Sequence, residues 1–85
     1  MTDRAPITPN AAVKAAFDYL KTISPDSSKF SNFRVEEIAM DKDGGFTLTL
    51  GYDIAGEFGF DTKRELKQFR VAHNGDVEWM KIRKV

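Results

Sequence analysis

The side chains able to do chemistry in this sequence are few, and their spacing argues against catalysis. There is no cysteine, which removes a thiolate nucleophile, thiolate-bound zinc and a disulfide framework together. His73 is the single histidine and precedes Asn74-Gly75. It therefore reads as an exposed turn residue rather than a base beside a nucleophile. Glu36-Glu37 is a carboxylate pair, but neighbours along a strand point to opposite faces and do not converge on one bond. Asp41-Lys42-Asp43-Gly44-Gly45 opens like a calcium loop. Gly45 occupies the third oxygen position, however, and Tyr52 stands where a bidentate Glu is required, so the segment is a turn. With no glycine-rich phosphate loop and no histidine cluster, the expectation is a protein that is not an enzyme and uses no cofactor or metal.

The most informative constellation lies near the C-terminus. If Phe69, Val71, Met80 and Ile82 face the core, alternation puts Leu66, Gln68, Arg70, Val77, Trp79, Lys81 and Arg83 on the opposite face. A tryptophan among cations on an open sheet can stack a nucleobase or an Arg or Pro side chain, while Arg70, Lys81 and Arg83 hold phosphates or carboxylates. Tryptophan is also usually well buried. The favoured expectation is therefore that Trp79 is covered, by Phe58 and Phe60 of a preceding loop or by the same face of a second copy.

The elements that must position these residues follow from periodicity. Thr8-Pro9 marks a helix start, with Thr8 as cap and Pro9 at the first helical position. Val13, Ala16, Phe17, Leu20 and Ile23 then recur at helical spacing opposite Lys14, Asp18 and Lys21. Pro25 predicts a stop near 22–24. From Phe33 the period falls to about two. Phe33 and Val35 share one parity, Ile38 and Met40 the other, which predicts a β-bulge at Glu36-Glu37. Phe46, Leu48, Leu50 and Tyr52 alternate with Thr47, Thr49 and Gly51, the clearest strand, expected to line the face under the helix. Residues 53–62 form a glycine-containing loop read as a flexible flap. Lys63 to His73 and Val77 to Val85 read as two further strands, joined by Asn74-Gly75, a strong hairpin signal. The predicted fold is α+β: one N-terminal helix packed on a four-stranded antiparallel sheet, in the order α-β-β-β-β.

The totals agree with a single domain. The chain has 85 residues, 41% of them apolar and 31% charged, with ten aromatic rings for a core. Residues 1–7 read as a flexible leader and 8–85 as the domain. No segment approaches the length of a membrane span or a signal peptide, so a cytoplasmic location without membrane association is the default expectation. The net charge is zero, but residues 1–62 hold 6 Lys/Arg against 10 Asp/Glu and residues 63–85 hold 7 against 3. That asymmetry fits two halves facing one another, in the fold or across a dimer, better than it fits a nucleic-acid partner.

The hairpin Phe69-Arg70-Val71-Ala72-His73-Asn74-Gly75-Asp76-Val77 resembles the strand-turn-Gly-acidic-Val ending of PepSY-type domains. The passage Val35-Glu36-Glu37-Ile38, turn, Phe46-Thr47-Leu48-Thr49-Leu50 is similar to their paired strands. The resemblance spans roughly 33–85 and implies a non-catalytic module of a kind associated with regulating or inhibiting peptidases. The general layout is also similar to cystatin-like folds, in which a sheet wraps a helix and often mediates pairing. The resulting expectation is a small interaction or regulatory protein acting through the sheet face around Trp79, as a homodimer or with another protein. The alternative is a single-stranded nucleic-acid binder using Arg70, Trp79, Lys81 and Arg83.

Overall fold

The computed structural model describes residues 7–56 and 61–83. Helix α1 spans Pro9–Ile23; a 3-10 turn at Ser27–Lys29 leads to strands β1 (Phe30–Met40), β2 (Phe46–Ile54), β3 (Lys63–Val71) and β4 (Val77–Arg83). The strands form one antiparallel sheet in sequence order, β1-β2-β3-β4. This is the predicted α+β layout of one helix on a four-stranded sheet.

The helix begins as its first residues dictate. The Thr8 hydroxyl oxygen accepts a hydrogen bond from the Ala11 N–H at 3.1 Å, satisfying one of the donors that a helix start leaves unpaired. Pro9 occupies the first turn, and Ser24 leaves the helix in an extended conformation ahead of Pro25. Ala12, Ala16 and Leu20 are fully buried. The two alanines let the helix axis approach the sheet closely, and Leu20 supplies volume.

Beneath them lie Phe46, Leu48, Leu50 and Tyr52 of β2 with Phe69 and Val71 of β3. The pairs Leu48↔Phe69 and Phe46↔Val71 are in register, so both central strands present their apolar parity to the helix. Truncation of Leu48 to Ala is expected to cost about 2–5 kcal/mol.

Both tight hairpins are built alike. In each, a residue donates its N–H to the carbonyl four positions on (Asp41 to Gly45, Ala72 to Asp76, both 2.7 Å), and receives a bond on its own carbonyl from the glycine three positions on. Gly44 has φ +88 and Gly75 φ +96. The Asn-Gly signal is thus realised as a three-residue loop with glycine alone left-handed, rather than a two-residue turn. Asp43 and Asn74 occupy equivalent places, each accepting a backbone N–H from two residues on.

Several expectations need correcting. Ile7, assigned to the leader, packs on the core and donates its N–H to the His73 carbonyl. Ile23, the last residue of the helix, and Ile82, on the outer strand β4, are exposed, at 43% and 71%. Val77 pairs with Val71 and packs on the core instead of lying beside Trp79. The register slips between Arg70 and Val71, leaving Glu78 as an extra residue that resets the alternation. The predicted slip in β1 is present between Val35 and Glu37, and a second lies between Ser31 and Arg34, where Asn32 has φ +55.

Candidate interaction surfaces

The sheet has two faces, and the helix divides them. On the face away from α1, register pairs Arg70 with Trp79, Gln68 with Lys81 and Leu66 with Arg83. The cations and the tryptophan are therefore brought together on one surface. Trp79 is 40% exposed, and the Lys81 ammonium sits 4.9 Å from its ring centroid, a cation–π contact. Phe58 and Phe60, expected to cover this face, lie outside the described residues.

The arginines are already engaged. Arg70 is paired with Asp41, Asp43 and Glu78; Arg64 bridges Glu36 at 3.1 Å and Asp53 at 3.0 Å; Arg83 is paired with Glu37 and also reaches the Thr49 hydroxyl. Glu36 and Glu37 thus both reach arginines of this one face, although alternation puts them on opposite faces. The bulge between them breaks that alternation. Gly51 makes room for the lattice: a Cβ there would stand 2.7 Å from Glu36 Oε2 and 2.8 Å from Arg64 Nη2.

The titrations follow the same contacts. The Asp43 carboxyl is held below the usual carboxylate range, first by the Gly45 N–H and then by Arg70. Asp53 is lowered by Asn32 and Arg64. Arg64 and Arg70 are raised chiefly by their hydrogen bonds to Asp53 and Asp43 respectively. A surface whose arginines each carry one or more carboxylates has little charge left to offer phosphates. Among the described residues, no cluster of three or more His, Asp or Glu is arranged to hold a metal ion, and no helix is long and apolar enough to cross a membrane.

The helix side holds a surface that the residue pattern did not single out. A helix is about 10 Å across, whereas four strands at about 4.8 Å spacing need nearly twice that. Helix α1 packs on β2, β3 and β4, and every residue of β1 from Ser31 to Met40 is exposed. Between helix and β1 runs a groove of about 370 Å³ lined by Val13, Phe17, Phe33, Val35 and Leu50, with Asn10, Lys14 and Arg34 completing its wall. Of its two cationic residues, Lys14 pairs with Asp18 at 2.7 Å, and Arg34, opposite Gly51, falls by register on the other face of the sheet. Phe33 anchors its floor, meeting Phe17 edge-on at 4.7 Å and Tyr52 at 5.5 Å between ring centroids. Val35, Ile38 and Met40 pair with Leu50, Leu48 and Phe46 of the core face. They extend the apolar row beyond the groove, and Met40 is 68% exposed. The signal for this surface was present in the sequence as a count: one helix for four strands.

Comparison with known proteins gives no neighbour to set beside this geometry: no family model, no curated protein and no solved structure matches the chain.

Proposed function

We propose that the protein is a non-catalytic interaction module whose working surface is the groove between α1 and β1. One observation carries this reading: on the inward face of an eleven-residue strand Phe33, Val35, Ile38 and Met40 are all exposed, with α1 reaching the row at Phe33 through Phe17, while β2 and β3 present the same face to the core. A contiguous apolar strip with a polar rim is the usual mark of a binding surface. The PepSY-type resemblance points the same way, toward a regulatory role without catalysis, and a homodimer or a different protein are both partners of that class.

A second reading keeps the Trp79 face. Its support is the half-exposed indole with Lys81 against it, a platform suited to a base or an arginine. The pairing of Arg70 and Arg83 with carboxylates weakens the nucleic-acid version of this reading, because phosphate binding must then break ion pairs. A plot of log affinity against log salt for single-stranded DNA would have a slope between zero and about −0.7, rather than the roughly −2 that three free cations would give.

Backbone amide chemical-shift mapping with an amphipathic peptide separates the two surfaces. Perturbations at Val13, Phe17 and 33–40 are the expected result. Perturbations confined to 66–70 and 79–83 would transfer the function to the Trp79 face.

A further inference from the structure

The tip of the second hairpin carries a chemistry that is independent of either surface. An asparagine followed by glycine is a thermolabile pair: glycine puts no Cβ in the way and takes up the backbone dihedrals through which its nitrogen reaches the preceding side-chain amide. Of the three asparagines in the chain, only Asn74 precedes a glycine, while Ala11 follows Asn10 and Phe33 follows Asn32. Asn74 is exposed at a loop tip. Asn10 lies in the first turn of α1, and Asn32 gives its amide to Asp53 at 2.8 Å.

Few bonds hold the Asn74 loop. Asn74 Oδ1 accepts the Asp76 N–H at 3.0 Å, Asn74 Nδ2 donates to Asp76 Oδ2 at 3.2 Å, and the Gly75 N–H is given to the Ala72 carbonyl at 2.8 Å. Opening of this one loop frees the Gly75 nitrogen and the Asn74 amide together and leaves the sheet intact.

We infer that Asn74 is a site of spontaneous covalent modification, at which loop opening lets water convert the amide to aspartate and isoaspartate. Base takes the proton from the Gly75 nitrogen, which attacks Asn74 Cγ. The N–Cγ bond forms, the Cγ–Nδ2 bond breaks, and the side-chain nitrogen leaves with a returned proton as ammonia. Water then opens the resulting cyclic imide. Cleavage of the new N–Cγ bond gives aspartate in an ordinary chain, and cleavage of the original peptide bond gives isoaspartate, whose main chain runs through Cγ and is longer by a methylene.

The first hairpin shows why the two products differ. Asp43-Gly44 occupies the same places in it, and Asp43 Oδ1 accepts the Gly45 N–H at 3.1 Å, so this type of loop accommodates an aspartate there. Asp43 is itself spared cyclisation, because its carboxylate is paired with Arg70 and an ionised carboxylate offers no leaving group. Isoaspartate has no such counterpart. Its added methylene falls just before Gly75, whose φ is +96, and beside Ile7, whose N–H is bonded to the His73 carbonyl at 3.3 Å. Lengthening the loop at that point loosens the tie between Ile7 and the hairpin.

The test is incubation of the whole protein in mildly alkaline buffer, with and without urea, followed by peptide mass mapping and enzymatic methyl labelling of isoaspartate. The expected result is loss of the amide at Asn74 while Asn10 and Asn32 keep theirs, faster as pH rises and several-fold faster in urea, where no loop bonds hold it. Asn74→Asp should protect the Ile7 amide from exchange as the parent does, and the isoaspartate fraction separated from aged protein should lose that protection. Equal loss at all three asparagines overturns the assignment, as does an intact Asn74 in native buffer over the time in which the urea-treated protein converts. An isoaspartate fraction that protects Ile7 like the parent overturns the effect on the loop.

Discussion

At the scale of single residues, Tyr52 shows how a core side chain ties stability to pH. Its ring is fully buried beneath the helix, and its hydroxyl donates to Glu65 Oε1 at 3.0 Å. Burial first, and then the hydrogen bond it donates to Glu65, push the phenol well above its ordinary value. A group whose pKa is raised on folding contributes stability that is complete below its unfolded value, about 10 for tyrosine, and is lost as pH rises beyond it. Asp43 and Asp53 are lowered on folding, so their contribution is present above about pH 4 and is lost as pH falls through their folded values. Denaturation midpoints across pH should therefore decline on both sides. Tyr52→Phe should flatten the alkaline side and Asp53→Asn the acid side; a Tyr52→Phe variant with an unchanged alkaline decline would contradict the assignment. Of these residues, Tyr52 was legible in the sequence as the end of an alternating run. Its partner Glu65 was not, because a cross-strand neighbour depends on register, which alternation alone does not supply.

Elements differ in how much of the structure holds them. Strand β2 is paired on both sides and buried under the helix, whereas β1 is paired on one side only and is exposed from Ser31 to Met40. Its amides from Arg34 to Met40 should exchange with solvent much faster than those of Leu48 to Tyr52, by local opening that leaves the core intact. Native-state hydrogen exchange checks this, and protection of β1 equal to that of β2 would mean that something already covers the groove. The same contrast explains what the sequence could disclose. A central strand with one buried face, such as 46–52, imprints a clean alternation because burial enforces it. In β4 the extra residue Glu78 moved Val77 to the core face, and nothing in the local pattern separates that bulge from regular alternation. Arg70, Trp79, Lys81 and Arg83 were placed together correctly by parity. That their arginines are spent on carboxylates was hidden, since Asp41, Asp43 and Glu37 lie far away in sequence.

For the whole molecule, the charge imbalance between the two parts of the chain resolves inside the fold: arginines of β3 and β4 pair with carboxylates of β1, β2 and the first hairpin turn. The arginines of β3 and β4 on the face away from the helix are thereby neutralised, and the β1 side of the face beside the helix is left apolar. The surplus residue in β1 has one more effect. Deleting Glu36 would remove one of the two interruptions of an outer strand that already carries Val35, Ile38 and Met40 in the open, and make the stretch from Arg34 to Met40 regular, leaving a straighter template for edge-to-edge growth of sheets from many molecules. Light scattering should rise with time for the deletion and stay flat for Glu36→Gln, which keeps the bulge and removes only the charge; flat traces for both would show that another feature stops the growth. Rising scatter for the deletion alone would make one surplus residue, whatever its charge, a guard that keeps this chain as separate particles rather than filaments.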